Sequence, residues 1–125
     1  MTLHSLLFVG AGGFLGAIAR YVLSLWIDAR LGSLFPWATL AINVAGSFAL
    51  GALAGSLQLA SVPPEVRLAL GVGFLGAFTT FSTFSYETVK LVEAGAAVTA
   101  IAYVVASFAL ALVAAVLGLA LGRSL

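Results

Sequence analysis

The amino-acid sequence predicts an all-α membrane protein with four transmembrane helices, the third of them broken at mid-span. Three observations carry this reading. Of the 125 residues, 63% are hydrophobic and 7% charged, whereas a soluble domain has about 25% charged residues. Too few charges remain to cover a water-facing surface. The apolar residues gather into four stretches, 3–27, 37–60, 66–92 and 94–122, each as long as the roughly 20 residues a helix needs to cross a bilayer. Within them Ala, Leu and Gly recur without the alternation of a membrane-spanning strand, so the stretches read as helices.

The first stretch starts at Leu3 with no basic flank before it and runs too long for a signal peptide, so it is expected to be retained. It carries Gly12 and Gly16 and, in its second half, Arg20. Residues 28–36 form the first loop, and Pro36 suits the first turn of the next helix, where its missing N–H costs nothing. The second stretch, from Trp37, holds Thr39, Asn43 and Ser47 four apart, which makes one polar stripe on one helix face. Residues 61–65, Ser-Val-Pro-Pro-Glu, form the second loop, and Ser61 or the prolines can start the third helix.

The third stretch contains Thr79-Thr80-Phe81-Ser82-Thr83-Phe84-Ser85, five hydroxyls in seven residues, preceded by Gly76. β-Branched residues and hydroxyls that bond the backbone weaken a helix, so the break is expected here. Irregular backbone at membrane depth has to be buried in protein or line a cavity. Its freed carbonyls can coordinate a small cation. A turn near Glu93-Ala94-Gly95 leads to the fourth stretch, where Tyr103 and Ser107 lie four apart with Ala111 next on the stripe. The pairs Gly12/Gly16, Gly51/Gly55 and Gly118/Gly122 repeat a spacing that lets helix backbones approach closely. All 125 residues form a single transmembrane domain, because the loops are too short to hold a soluble one. Four helices leave little room for an internal pathway in a monomer, which favours a homodimer.

Four spans put both termini on one side. Arg67 and Arg123 then fall on the side of the termini, and Arg30 and Lys90 on the other, with Arg20 nearer that second side. Orientation is normally set by an excess of Lys and Arg in cytoplasmic loops. Here the count is nearly balanced. That fits a chain inserted both ways up that pairs antiparallel, and equally one weakly specified topology fixed by a partner or by Arg20.

Several function classes drop out. A net charge of +1 offers no basic patch for nucleic acid. There is no cysteine, and His4 is the only histidine, so neither a disulfide framework nor a histidine-rich metal site can form. Gly71-Val72-Gly73-Phe74-Leu75-Gly76 matches a dinucleotide fingerprint but has no strand before it, so it reads as close helix packing. No nucleophile–base pair supports an enzyme.

Polar groups are costly inside a membrane and mark candidate pathways. Arg20 has two readings, a snorkelling side chain or a cation that attracts anions or ties down a helix end. No Asp or Glu lies deep in the first, second or fourth stretch; Glu87, at the far end of the third, is the exception. An exporter of toxic cations with the same four-helix, dual-topology plan needs a carboxylate in its first span, which is missing. The interior holds many neutral donors and very few fixed charges. That suits a small anion, which takes N–H and O–H donors and the positive edges of aromatic rings. Sites of this kind hold an ion weakly enough for it to leave.

Three segments together resemble the small bacterial fluoride channel family (Fluc, or CrcB-like proteins) over nearly the whole chain: Gly12-Gly13-Phe14-Leu15-Gly16-Ala17-Ile18-Ala19-Arg20-Tyr21, Thr39-Leu40-Ala41-Ile42-Asn43-Val44-Ala45-Gly46-Ser47-Phe48, and the run from Gly73 through Ser85. The resemblance implies an antiparallel dual-topology homodimer in the cell inner (plasma) membrane. It implies two pores for passive, selective fluoride export and no enzymatic activity. It also implies that Asn43, Phe81 and Phe84 line the pores with Tyr103 and Ser107, with Thr39, Thr80 and Ser82 in the same polar set. A structural Na⁺ at the dimer centre would be bound by backbone carbonyls at positions matching Gly76 and Thr79. Arg20 matches a cation of the family's first helix, for anion attraction or packing. The sequence departs from the family pattern at two places: Ala111 stands where a second Ser often continues the fourth-helix stripe, and Gly76-Ala77 replaces a Gly-Gly before the Thr-rich run.

Overall fold

The computed structural model describes residues 1–56 and 62–125. The expected end of the second span at residue 60 and the helix start at Ser61 fall outside them. Among the described residues four helical runs are long and apolar enough to cross a membrane: Leu3–Leu31, Trp37–Ser56, Pro64–Glu93 and Ala97–Ser124. The chain is thus a multi-pass membrane protein, and large apolar side chains such as Phe14, Leu15, Val98, Ile101 and Val116 cover its outer surface.

Helix α1 (Leu3–Leu31) is capped by the Thr2 side chain, which accepts from the Ser5 N–H at 3.2 Å. It runs one turn further than its apolar stretch, through Asp28 and Arg30. The Arg30 guanidinium lies 4.6 Å over the Trp26 ring, one turn back, so the charge is accommodated on the helix surface. Gly32 ends the helix with φ 74°, a conformation that favours glycine, and its N–H bonds the Asp28 carbonyl. The carbonyl of Pro36 accepts from Leu40, so Pro36 stands just ahead of α2 (Trp37–Ser56).

The third run is not one regular helix. Pro63 and Pro64 open α3 (Pro64–Arg67), where a proline costs no hydrogen bond. The chain then widens into π-helical turns over Leu68–Leu75 and tightens again in α4 (Gly76–Phe78). Thr79 and Thr80 are extended, with φ/ψ of −80°/157° and −152°/122°. Helix α5 (Phe81–Glu93) follows, its start capped by the Thr80 hydroxyl accepting from the Thr83 N–H. Only two of the residues in the hydroxyl-rich stretch therefore leave the helix. Gly95, φ 78°, makes the turn into α6 (Ala97–Ser124), which begins three residues later than apolarity alone suggests.

Glycines decide which helices touch. On α2 and α6, a Cβ at Gly51 would collide with the Ala115 carbonyl, and one at Gly118 with the Phe48 carbonyl. On α1, Gly12 and Gly16 are closed in the same way by Ala69 and Phe74 of the third run, and Gly73 by the Val9 carbonyl. The G-x-G-x-x-G stretch is thus a helix-packing surface, with no strand before it among the described residues. All three glycine pairs are spent on contacts inside one chain.

Candidate functional site

A cavity of about 420 Å³ opens between α2, the third run and α6. Of the residues singled out from sequence, Asn43, Gly76, Thr79, Thr80, Phe81, Phe84 and Ser107 line it. Its other walls include Gly46, Ser47, Gly71, Phe108 and Ala111, and among the described residues none of its lining side chains carries a formal charge.

The extended pair is held by its neighbours. Asn43 of α2 donates Nδ2–H to the Thr80 carbonyl at 2.9 Å and accepts the Thr80 N–H on Oδ1 at 2.8 Å. Arg20 of α1 donates Nε–H to the Ala77 carbonyl at 3.1 Å. The Thr79 hydroxyl donates to the Leu75 carbonyl at 2.9 Å. These bonds redirect the helix ladder. The N–H four residues after Gly76 is that of Thr80, which goes to Asn43. The N–H four residues after Thr79 is that of Thr83, which goes to the Thr80 side chain. The carbonyls of Gly76 and Thr79 thereby lose the donors that would continue a helix.

The aromatic residues form one contiguous group. Phe81 and Phe84 lie 5.5 Å apart by ring centroids, Phe84 meets Tyr103 at 5.2 Å, and Phe108 presents itself to Phe84 in a T-shaped contact at 6.0 Å. Phe84 is 8% exposed and Phe81 71% exposed. Phe84 is therefore packed within the chain, while Phe81 stands free at the cavity mouth. The Ser107 hydroxyl is buried and has no hydrogen-bond partner among the described residues.

Thr39, Tyr103, Ser82 and Arg20 do not line the cavity. Thr39 and Tyr103 instead meet Glu87: the Thr39 hydroxyl donates to Oε1 at 2.9 Å and the Tyr103 hydroxyl to Oε2 at 2.7 Å. Tyr103 is fully buried, its ring between Phe35 and Phe84. The polar stripe of α2 thus serves three destinations, Glu87 for Thr39, Thr80 for Asn43, and the cavity for Ser47. Sequence reasoning noticed Glu87 as the deep carboxylate but could not find its partners, because they come from α2 and α6, far away along the chain. Ser82 is within 3.4 Å of the Thr80 hydroxyl, on the first turn of α5.

Such an arrangement has clear chemical limits. No group of three or more His, Cys, Asp or Glu is gathered among the described residues, so no ligand set of side chains for a transition metal is present. The cavity offers neutral N–H and O–H donors, ring edges and displaced carbonyls.

Comparisons with known proteins place the chain in a family. The family model described as CrcB-like protein, Camphor Resistance (CrcB), matches residues 7–119. A protein of Rhizobium meliloti named fluoride-specific ion channel FluC is 44% identical over 124 residues, which is 98% of this chain and 99% of the relative. A protein of the same name from Rhodospirillum centenum is 50% identical over 120 residues, 95% of each chain. The match runs from α1 into α6, through the helix interruption and the uncharged cavity, and on that full-length correspondence the chain belongs to the CrcB-like family.

Proposed function

We propose that the chain is a fluoride-selective passive ion channel that exports cytoplasmic fluoride. In this reading it works as an antiparallel homodimer with two pores, in the cell inner (plasma) membrane. The observation that carries the reading is the cavity lining among the described residues: donors and ring edges, no formal charge, and one buried hydroxyl, that of Ser107, without a partner. A lining of fixed cations would trap an anion, whereas neutral donors bind it weakly enough to release it. The name of the relatives, fluoride-specific ion channel, supports fluoride as that anion.

The roles divide by geometry. The Asn43 carboxamide spends one N–H and its oxygen on Thr80, which leaves its second N–H for an ion. The exposed edge of Phe81, the ring of Phe84 and the Ser107 hydroxyl complete the contacts, with Thr80 beside them and Ser82 behind the Thr80 hydroxyl. Thr39 and Tyr103 act one layer behind, through Glu87 and the packing of Phe84. The cavity is open on one face of the protomer, and a second copy would cover it. The nearly balanced loop charges permit that copy to be inverted.

A structural Na⁺ at the dimer centre is part of the proposal. The backbone fits it: Gly76 and Thr79 line the cavity, and the helix donors of their carbonyls are diverted to Asn43 and to the Thr80 side chain. Carbonyl oxygens freed at a helix interruption suit a small hard cation. When bound, the ion would supply a positive charge for the carbonyl oxygens of Gly76 and Thr79 to coordinate in place of their lost donors.

The deciding experiment is fluoride efflux from liposomes containing the purified protein, read with a fluoride electrode and with chloride as the control. The expected result is fast, voltage-driven fluoride loss that requires Na⁺, with little chloride loss. Absence of fluoride flux from folded protein would overturn the proposal.

A further inference from the structure

Arg20 lies in the second half of a membrane-length helix, half-buried, and among the described residues no carboxylate lies within ion-pair distance of it; the one ion pair found is Lys90–Glu93 at 2.9 Å. Its Nε–H bonds the Ala77 carbonyl at 3.1 Å. Ala77 belongs to α4, whose last carbonyls have lost their helical donors because the backbone turns extended at Thr79. A cation that hydrogen-bonds the final carbonyls of a helix satisfies orphan acceptors and meets the negative end of the helix dipole. The cavity lies on another side of the same backbone: Gly76 and Thr79 line it, and Ala77 and Arg20 do not.

We infer that Arg20 is a positioning residue of the interruption, acting through its Nε–H bond to the Ala77 carbonyl and not through its charge on a passing anion. The bond turns the Ala77 peptide toward α1. Asn43 holds Thr80 from α2 in the same way. The backbone between them is pinned at both ends by two different helices, and the carbonyls of Gly76 and Thr79 are left toward the cavity. The inference rests on the channel reading for its flux readout but concerns a bond that exists whatever crosses the membrane.

Side-chain chemistry separates the bond from the charge. In glutamine the amide nitrogen stands the same number of atoms from Cα as Nε does in arginine, so Arg20→Gln keeps an N–H donor at that place and deletes the charge. Arg20→Lys keeps the charge and puts a methylene where the donor was. Each variant is purified, and its thermal midpoint in detergent is followed against Na⁺ concentration. Fluoride efflux from liposomes is measured at low and high salt.

The expected result is that Arg20→Gln stays within about threefold of wild-type flux and keeps the wild-type Na⁺ dependence of the midpoint. Arg20→Lys loses tenfold or more of the flux and needs more Na⁺, with the loss unchanged by ionic strength. The reverse ranking, with Lys near wild type and Gln impaired most at low salt, would overturn the inference in favour of anion attraction. Equal loss of folded protein in both variants would overturn it too, since the bond alone is claimed to suffice. Wild-type protein that carries no fluoride would defeat the channel reading, and the ranking of the thermal midpoints would still decide the role of Arg20.

Discussion

Asn43 and Thr80 exchange two hydrogen bonds, side-chain Nδ2 to carbonyl at 2.9 Å and backbone N–H to Oδ1 at 2.8 Å, as paired residues of neighbouring strands do. A carboxamide is the one common side chain that can mimic a peptide in this way, with a donor and an acceptor side by side. Asn43→Asp keeps the acceptor, loses the donor and adds a charge, and Asn43→Ala loses both bonds. Each bond is worth about 0.5–1.5 kcal/mol net. We expect both variants to remain folded, with fluoride flux reduced at least tenfold in liposomes and a lower thermal midpoint for Ala.

The Ser107 hydroxyl, without a partner among the described residues, gives stability and function opposite signs. A buried polar group without a partner is itself a cost of about 1–3 kcal/mol. Ser107→Ala should therefore leave the thermal midpoint unchanged or raise it, while lowering fluoride flux. A fall in both would mean that the hydroxyl has a structural partner.

Phe81 and Phe84 should separate in the same assays. Phe84 is packed on Tyr103 and Phe108, so Phe84→Ala is expected to destabilise by about 3–5 kcal/mol. Phe81, exposed within the protomer, should tolerate Phe81→Ile with little loss of folded protein yet a sharp loss of fluoride flux.

Glu87 accepts from two hydroxyls on two other helices. Tyr103→Phe and Glu87→Gln each remove part of one network, so their effects should not add. A double-mutant cycle on the thermal midpoint is expected to give a coupling of about 1 kcal/mol or more. Simple additivity would show that the 2.7 Å contact contributes no net stability.

Glycine substitutions test the helix contacts. Gly118→Val forces a side chain into the Phe48 carbonyl and should prevent folding or destabilise by about 1–3 kcal/mol or more. Gly10→Ala meets nothing within 4 Å and should be neutral. Yield and thermal midpoint in detergent read both.

Much of the fold is legible from hydropathy, because the bilayer demands long apolar runs and leaves little else possible. The ends of those runs are less so. Asp28 and Arg30 remain helical although they are charged, since an interfacial helix end can solvate them, and Gly32 with its positive φ is what stops α1. Hydroxyl density marks the right stretch of the third run but not which residues leave the helix. That is decided by Thr80 capping α5 and by Asn43 arriving from α2, a tertiary event. The π-helical turns over Leu68–Leu75 have no local signature. In the site, i to i+4 spacing groups Thr39 with Asn43 and Tyr103 with Ser107, yet each pair is divided between two environments. Spacing fixes a face, and only the neighbouring helix decides what that face meets.

The tight backbone contacts of Gly51, Gly55, Gly118 and Gly122 within α2 and α6, and of Gly12, Gly16 and Gly73 between α1 and the third run, have a consequence for biogenesis. Seams that close within one chain ask nothing of a second copy while the helices pack in the bilayer. Joining, in the proposed dimer, would then be a later event between finished parts. In the antiparallel pairing proposed above, two units delivered in opposite senses by separate insertion events would need no coordination at the ribosome; they would only have to diffuse in the plane of the membrane until their open cavities faced each other.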